Sequence, residues 1–319
     1  MAFLKKINTK AATAANTGFG DNASNYGGRF LNKNGRANIN RTGIGLLERY
    51  SWYHSMLAMS GGRFFLIVLV FFIVVNFIFA LIYYFLGVQH LGGLSGQTKG
   101  EEFMESFFFS TQTFTTVGYG RISPVGFATS AIAAFQALVG LLSFAVATGL
   151  MYARFSKPTA YIKFSQNALI APFKGGTALM MRLAPFKNTT LSEAEVKLTL
   201  AMMVEEEGKS ENRFYPLNLQ LDKINTLSLN WTLVHPINEE SPLFGFTGDD
   251  FNSIRGEFIV YLKAFDDMFS NTVITRGSYT FNEVIYGAVY TPMYHRDDEN
   301  SMTILDLGKL NDYKETSLL

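Results

Sequence analysis

The chain has 319 residues, a formal net charge of +1 and no cysteine. The lack of cysteine excludes disulfides and cysteine-ligated metal sites, and the balanced charge gives no sign of the basic surface that nucleic-acid binders carry. Apolar residues are concentrated in 64–155, whereas 185–319 have the composition of an ordinary water-soluble domain. Length and contrast together predict two structural parts, one of them in a membrane.

Residues 1–45 are a polar N-terminal arm that is rich in Asn, Gly, Ala and Thr. No apolar segment opens the arm, so we expect no cleavable signal peptide. The arm is either disordered or an extended strand that pairs with another part of the protein. Its segment "RFLNKNGRANIN" contains the turn signal Lys33-Asn34-Gly35, which predicts a short hairpin or strand pair.

Residues 46–59, "LLERYSWYHSMLAM", predict an amphipathic helix with aromatic residues on its apolar face. Such a helix is either a core helix of a soluble domain or a helix that lies at a membrane surface. Because a long apolar run follows it directly, we favour the interfacial helix.

The first membrane span is predicted at Phe64–Leu86, directly after Arg63. This run carries no charge and exceeds the roughly 20 residues that a bilayer requires. Asn76 is its one strongly polar interruption, and Tyr83 and Tyr84 lie where an interfacial aromatic belt is expected.

A second span is predicted at about residues 127–154, where alanine and glycine are frequent. Small residues let helices approach closely in lipid. The apolar run Phe103–Thr115 between the two spans is too short to cross a bilayer. We therefore expect a re-entrant pore helix there, within a transmembrane pore domain of residues 60–157.

The loop Thr116-Val117-Gly118-Tyr119-Gly120 follows the re-entrant helix. Glycine adopts backbone angles that turn successive carbonyls the same way, and irregular backbone at membrane depth is tolerated where it lines a water-filled path. The five residues match the filter loop of potassium channels, whose carbonyl oxygens replace the hydration shell of K⁺. A chance glycine turn is the alternative, and the position between a short apolar helix and a second span disfavours it. Since the loop occurs once, four chains must surround one axis.

The distribution of basic residues predicts the topology. Basic residues cluster before the first span and after the second, whereas acidic residues outnumber them between the spans. The positive-inside rule therefore puts both termini in the cytoplasm and the glycine loop near the outer face. The flanking cations are Lys5, Lys6, Lys10, Arg29, Lys33, Arg36, Arg41, Arg49, Arg63, Arg154, Lys157 and Lys163.

Residues 158–319 read as a cytoplasmic β-sandwich. In "EAEVKLTLAMMVEE", Val196, Leu198, Leu200 and Met202 alternate with polar residues, which is typical of a strand with one buried face. Further short strand candidates are separated by turn signals, which favours a sandwich. No GxGxxG follows a predicted strand, and this argues against a nucleotide-binding regulatory domain.

From about Tyr26 to Leu310 the sequence resembles the bacterial branch of the inward-rectifier potassium channels. The resemblance rests on "RFLNKNGRANI", "WYHSMLAMSGGRFF", "TTVGYG", "FQALVG", "MYARFSKP", "HPINEESPLFGFT" and "SYTFNEVIYG". It implies an α + β membrane protein: a homotetramer with a two-helix pore module and a cytoplasmic immunoglobulin-like β-sandwich. It also implies that residues 46–59 are the slide helix at the inner membrane surface.

The resemblance further assigns site residues. It implies that Thr116, Val117, Gly118 and Tyr119, in the filter that Gly120 completes, coordinate K⁺, and that Tyr152 lies at the helix-bundle crossing. The residues that it implies along the pore are Ala137, Leu141, Phe144, Thr148 and Tyr152. For such an apolar stripe, packing against lipid or another helix is the alternative.

Departures from the family pattern argue against strong rectification. Phe144 stands where strong rectifiers have an acid, and Arg213 where the cytoplasmic pore has a glutamate; Glu283 alone keeps an acid there. In the pore helix, Gln112 stands where a glutamate often pairs with a basic residue after the filter. We therefore expect Arg121 to lack that partner.

Cations near the inner leaflet are the candidate contacts for lipid headgroups. Arg63, Arg154 and Lys157 are the candidates, and each cation near an anionic surface contributes about 1 kcal/mol. Plain positive-inside anchoring explains the same residues. In the bacterial branch, phosphoinositide or other anionic lipids tend to inhibit.

The sequence thus predicts a potassium channel in the inner membrane of a prokaryote, with passive selective K⁺ conduction, a gate at the inner helix bundle and modulation by anionic lipid. K⁺ is the permeant ligand, and we expect no cofactor and no nucleic-acid partner. A membrane-anchored β-sandwich sensor with a vestigial pore and a non-selective cation channel are the alternatives. An enzyme is disfavoured, because His54, His90, His235 and His295 form no spaced metal motif and no nucleophile constellation is present.

Overall fold

The computed structural model describes residues 28–45, 51–187, 189–206, 209–299 and 301–318. Residues 1–27 of the N-terminal arm and residues 46–50 of the predicted interfacial helix lie outside the described residues. The chain divides into two compact units, a helical unit at residues 42–157 and a β domain at residues 158–318. Residues 28–41, called the N-terminal segment below, belong to the β domain.

The helical unit is built from two long helices, a shorter helix between them and a seven-residue helix before them. Its helices are α1 at Trp52–Ala58, α2 at Gly61–Leu86, α3 at Lys99–Phe114 and α4 at Phe127–Phe155. Both α2 and α4 are long and apolar enough to cross a membrane. A ribbon of β1, Leu91–Gly92, and β2, Ser123–Pro124, joins the loops on either side of α3.

Helix α3 begins one turn before the predicted Phe103 and ends at Phe114, one residue before the predicted Thr115. Its start is a capping box: the Thr98 hydroxyl accepts the amide of Glu101, and the Glu101 carboxylate accepts the amide of Thr98. The prediction followed the apolar run, whereas a helix begins where its first amides find acceptors, here in a polar first turn.

The β domain consists mainly of two five-stranded sheets. Its elements are β3 at Ile162–Phe164, β4 at Ala168–Phe173, β5 at Gly176–Pro185, β6 at Leu191–Glu206, β7 at Lys209–Leu217, β8 at Lys223–Leu227, β9 at Trp231–Ile237, α5 at Gly248–Ser253, β10 at Gly256–Asp266, β11 at Asn271–Thr280, β12 at Val284–Tyr286, β13 at Ala288–Tyr290, β14 at Tyr294–Arg296, β15 at Thr303–Leu305 and β16 at Tyr313–Glu315.

One sheet has the order β11-β10-β6-β7 with β8 also pairing with β6, and the other has the order β12-β4-β5-β3 with β9 also pairing with β5. The pairs within them are antiparallel except for β12 with β4. Inward side chains of both sheets share one core, in which Leu179 of β5, Leu200 of β6 and Val260 of β10 are buried. The predicted alternation in β6 is confirmed, because Val196, Leu198, Leu200 and Met202 are all buried.

The N-terminal segment lies on the outer face of the first sheet. The predicted turn at Lys33-Asn34-Gly35 is confirmed by the β-bridge between Leu31 and Ala37 and by the hydrogen bond from the Asn32 amide to the Arg36 carbonyl, 2.8 Å. Phe30 and Leu31 are buried against Ala201, Phe214 and Ile259 of the sheet. The segment is therefore a packed part of the β domain.

Candidate ion-conduction site

The loop after α3 has its amides directed back toward the helix. The amide of Thr116 donates to the Thr113 carbonyl at 3.1 Å, and the amides of Val117 and Gly118 both donate to the Gln112 carbonyl at 3.0 and 3.3 Å. The last turn of a helix leaves carbonyls without intrahelical partners, and these three amides satisfy two of them, those of Gln112 and Thr113. The loop is thus anchored through its N–H groups.

The sign of φ alternates from residue to residue along this loop. Thr116, Gly118 and Gly120 have φ angles of 59°, 54° and 83°, whereas Val117 and Tyr119 between them do not have positive φ. Such alternation makes successive backbone N–H groups converge on one side of a chain. All five residues are exposed in the single chain. Within the described ranges no cluster of three or more His, Asp or Glu side chains could hold a metal ion.

Arg121 does not pair with position 112, where Gln112 stands, but it has another acidic partner in α3. Its Nη2 lies 2.9 Å from Oε1 of Glu105, and its Nη1 lies 3.0 Å from the Ser95 hydroxyl. Glu105 precedes Gln112 by two helical turns and therefore lies on the same face of α3. Glu105 therefore supplies the acidic partner of Arg121, whereas the family pattern points to position 112 alone.

The predicted pore-lining residues follow one another along α4. Ala137 is half-buried, whereas Leu141, Phe144, Thr148 and Tyr152 are exposed. The Phe144 and Tyr152 side chains are each 73% exposed. The adjoining face of α4 also carries exposed apolar side chains, among them Leu138, Leu142 and Val146.

An apolar groove of about 740 Å³ lies between α2 and α4 below the loop. Phe71 of α2, Phe114 at the end of α3, and Leu141 and Phe144 of α4 are among its lining residues. An open apolar surface of this size in one chain marks a place where another molecule or another chain packs.

Arg154, one of the three candidate lipid contacts, is engaged within the protein. Its guanidinium donates to the carbonyls of Met56 at 2.6 Å and Met59 at 2.8 Å, and it lies 4.9 Å from the centre of the Phe64 ring. Arg154 thereby caps the C-terminal end of α1, where the last carbonyls lack intrahelical partners. Arg63 and Lys157 are exposed.

Glu283, the residue predicted as a cytoplasmic pore acid, is paired within its own chain. Its carboxylate lies 3.1 Å from the Arg29 guanidinium and 2.9 Å from the Lys33 amine, and it accepts the Thr280 amide at 3.0 Å. Although burial alone would raise the pKa of Glu283, the hydrogen bonds from Lys33 and Arg29 lower it below the usual range. Arg213, half-buried in β7, lies opposite Met202.

Four polar side chains in the helical unit were not recognised together from the sequence. Tyr83, expected in an interfacial belt, is buried and donates to Oε1 of Gln136 at 2.7 Å. Gln136 in turn contacts Ser110 and Asn76. The available signal was that Asn76 and Gln136 each interrupt an apolar run, since polar side chains in lipid are placed toward other protein groups.

Glycine 140 sets how closely α4 approaches the end of α3. A Cβ added to it would lie 2.0 Å from the Phe114 carbonyl oxygen, whereas at Gly149, further along α4, a Cβ would meet nothing within 4 Å. The sequence gives no reason to distinguish the two glycines, since both lie among small and apolar residues of α4. Of the two, only Gly140 lies against the backbone of another helix.

Comparison with known proteins gives concordant results. A family model described as the inward rectifier potassium channel C-terminal domain matches residues 162–317, and one described as an ion channel matches residues 67–157. The inward rectifier potassium channel Kirbac3.1 of Paramagnetospirillum magnetotacticum is 34% identical over 289 residues, which are 89% of this chain and 95% of that protein. The ATP-sensitive inward rectifier potassium channel 12 of Mus musculus is 26% identical over 290 residues, 83% of this chain and 67% of that protein.

Three solved structures that were compared with this chain have low TM-scores against it. The sporulation control protein Spo0M from Bacillus subtilis covers 40% of this chain and 50% of its own, with 5% identity and a TM-score of 0.23. A score of that size carries no statement about the fold.

Proposed function

Because the chain belongs to the inward rectifier potassium channel family, whose members are ion channels and not enzymes, we propose that Thr116–Gly120 is its potassium filter. The observation that carries the proposal is the loop backbone, with its amides held by Gln112 and Thr113 and its φ angles alternating in sign. In this arrangement the carbonyls of Thr116, Val117, Gly118 and Tyr119 replace the water around K⁺, and Gly120 completes the loop.

The working channel is a homotetramer around the filter axis. One loop supplies only a quarter of an ion cage, and a single chain leaves Tyr119 80% exposed. The apolar groove between α2 and α4 supports the same proposal, because it is a concave surface against which the side chains of a neighbouring chain can pack. Four α3 helices would then direct their C-terminal ends at the axis, where their dipoles favour a cation.

The path below the filter is lined by α4 through Ala137, Leu141, Phe144, Thr148 and Tyr152. Phe144 and Tyr152 are separated by about 12 Å along the helix axis. In a tetramer their rings would form two apolar constrictions, and a closed ring of aromatic side chains stops conduction by excluding water. Tyr152 is proposed as the gate.

The proposed placement in the membrane follows from the spans and the flanking cations. Helices α2 and α4 cross the inner membrane of a prokaryote, α3 is re-entrant, and both termini are cytoplasmic. Residues 1–45 are then a cytoplasmic arm, 46–59 an interfacial slide helix, 60–157 the pore domain, and 158–319 an immunoglobulin-like regulatory domain.

Anionic lipid is proposed as the modulator, with Arg63 and Lys157 as headgroup contacts. Arg154 acts beside them by holding α1, because its guanidinium already binds two carbonyls.

Replacing Arg63 and Lys157 together by glutamine should shrink the difference between flux in anionic and in zwitterionic vesicles. Arg154→Gln should change flux in both kinds of vesicle. Loss of the lipid response through Arg154→Gln alone, with flux in zwitterionic vesicles unchanged, would contradict this division of roles.

The filter assignment is tested by flux measurements on the purified protein in liposomes. We expect K⁺ and Rb⁺ to permeate, Na⁺ to be excluded, and Ba²⁺ to block. Equal K⁺ and Na⁺ flux would instead make the chain a non-selective cation channel, and no flux in any lipid would favour a membrane-anchored sensor with a vestigial pore. Gly118→Ala places a Cβ on a residue with φ of 54° and should abolish selectivity, since the left-handed conformation costs about 1–2 kcal/mol for an L-residue.

A further inference from the structure

A chain of hydrogen bonds crosses the helical unit behind the filter loop. It joins Asn76 and Tyr83 of α2, Ser110 of α3 and Gln136 of α4, and each of these side chains is at most 1% exposed. The four residues are called the polar relay below. Its neighbours are apolar, among them Phe79 and Phe109, and the Tyr83 and Phe109 ring centres are 5.0 Å apart.

The donors and acceptors of the polar relay run in one direction. Tyr83 donates its hydroxyl to Gln136, whose Nε2 donates to the Ser110 hydroxyl at 2.6 Å and to the Ser110 carbonyl at 3.0 Å. The Ser110 hydroxyl donates to Oδ1 of Asn76 at 2.9 Å, and Asn76 donates to the Phe72 carbonyl at 2.8 Å. This consistent order fixes the orientation of both amides.

Gln136 and Gly140 hold α3 on α4 at two points. Gln136 bonds Ser110, and Gly140 contacts the Phe114 carbonyl; each pair of residues is one helical turn apart on its own helix. Between the two contacts lies Gln112, whose carbonyl accepts the amides of Val117 and Gly118. The height and the rotation of that carbonyl are therefore set by the two contacts.

We propose that Gln136, acting through Ser110, is a positioning residue for the potassium filter. Apolar packing alone would let two smooth helices slide or rotate with little change in contact, whereas the directional bonds of Gln136 are satisfied in one register only. The Arg121–Glu105 ion pair holds the outer side of the loop, and the polar relay holds its foundation in α3. The inference rests on the proposed filter and extends it to residues that touch no ion.

The test replaces Gln136 by leucine, which is of similar size but cannot hydrogen-bond, and Ser110 by alanine. The matched control is Ser106→Ala: Ser106 is also fully buried, lies one turn before Ser110, and donates only to the Glu102 carbonyl of its own helix, at 2.8 Å. Purified variants are reconstituted in planar bilayers, and the K⁺/Na⁺ permeability ratio and the Ba²⁺ block are measured. Assembly is checked by size-exclusion chromatography.

Gln136→Leu and Ser110→Ala should each lower the permeability ratio by about tenfold, an effect of the size that losing one or two interhelical hydrogen bonds can have. Ser106→Ala should leave it unchanged. An assembled Gln136→Leu or Ser110→Ala variant with wild-type selectivity and Ba²⁺ block would overturn the proposal, and so would an equal effect of Ser106→Ala.

If Gln136→Leu does not assemble, Ser110→Ala and the milder Tyr83→Phe decide, because both leave Gln136 in place. A wild-type protein without selectivity would refute the filter itself, which separates the two failures.

Discussion

The guanidinium of Arg29 faces the carboxylate of Glu283 with two parallel contacts, Nη1 to Oε1 and Nη2 to Oε2, each of 3.1 Å. The same arginine also donates through Nε to the Leu31 carbonyl at 2.7 Å. Close by, the Glu257 carboxylate accepts the amides of Phe30 and Leu31 at 2.5 and 2.9 Å. The N-terminal segment is thus fixed to the β domain by two acids.

Removal of the Arg29 side chain should loosen this segment. We expect Arg29→Ala to destabilise its docking by about 1–3 kcal/mol, the usual cost of losing hydrogen bonds to a charged group. The readouts are a lower Tm and faster proteolysis between residues 28 and 41. Lys33→Ala is the control, since Lys33 is 57% exposed and its ion pair is worth less than about 1 kcal/mol. Equal effects of the two variants would show that the bidentate contact is not what holds the segment.

Glycine 140 should tolerate no side chain. In Gly140→Ala the new Cβ would meet the Phe114 carbonyl oxygen at 2.0 Å, so α3 must move and carry the filter with it. We expect conduction to be lost or strongly reduced in liposome flux. Gly149→Ala lies on the same helix with open space around it and should conduct normally. Normal conduction by Gly140→Ala would mean that the contact is relieved without moving the filter.

An acid at position 144 should create block by internal polyamines. Four carboxylates in a low-dielectric cavity attract a polycation far more strongly than four phenyl rings. Phe144→Asp should therefore show voltage-dependent spermine block that the wild type lacks or shows weakly. Leu138→Asp, on the adjoining exposed face of α4, is the comparison variant. Identical spermine block in wild type and Phe144→Asp would remove Phe144 from the pore.

Replacement of Tyr152 by alanine should open the lower constriction. Loss of the ring leaves a wider crossing that water can enter, so the open probability should rise in single-channel recordings. The K⁺/Na⁺ permeability ratio should not change, because the filter is untouched. If Tyr152 is instead an interfacial anchor, the alanine variant will lose stability as an assembly while its open probability stays that of the wild type.

Acidification should destabilise the β domain through His235. The ring is buried, its Nδ1 lies 2.7 Å from the Asn218 carbonyl and its Nε2 lies 2.8 Å from the Ser241 hydroxyl. Burial lowers the pKa of His235, although the bond to Asn218 acts in the opposite direction. In the unfolded chain a histidine has a pKa of about 6.5. Just below that pH the imidazole of His235 is therefore protonated in the unfolded chain but stays neutral in the folded one, so acid favours unfolding.

The resulting stability is complete above about pH 6.5 and is lost as the pH falls from there toward the folded-state pKa. The wild-type Tm should drop between pH 7.5 and 5.5, and His235→Gln should start lower but drop less over that interval. His295→Gln, at an exposed histidine, should follow the wild type. Parallel curves for wild type and His235→Gln would assign the pH dependence to other groups.

The sequence by itself determined the features that depend on local composition and spacing. Uncharged apolar runs become the helices α2 and α4 because a backbone in lipid must satisfy its own hydrogen bonds. The alternation in β6 and the turn at Lys33-Asn34-Gly35 likewise need only neighbouring residues. The glycines after α3 indicated a backbone that other residues rarely adopt, and Gly118 and Gly120 do have positive φ.

Tertiary structure alone decided which polar groups meet. Arg121 forms an ion pair with Glu105 rather than with position 112. Glu283 pairs with Arg29, which lies near the other end of the chain. Arg154 donates to carbonyls at the end of α1. Tyr83 has the sequence context of an interfacial aromatic, yet it is buried against Gln136. These pairings join residues that are far apart along the chain, and their energies depend on distance and burial, which no local pattern encodes.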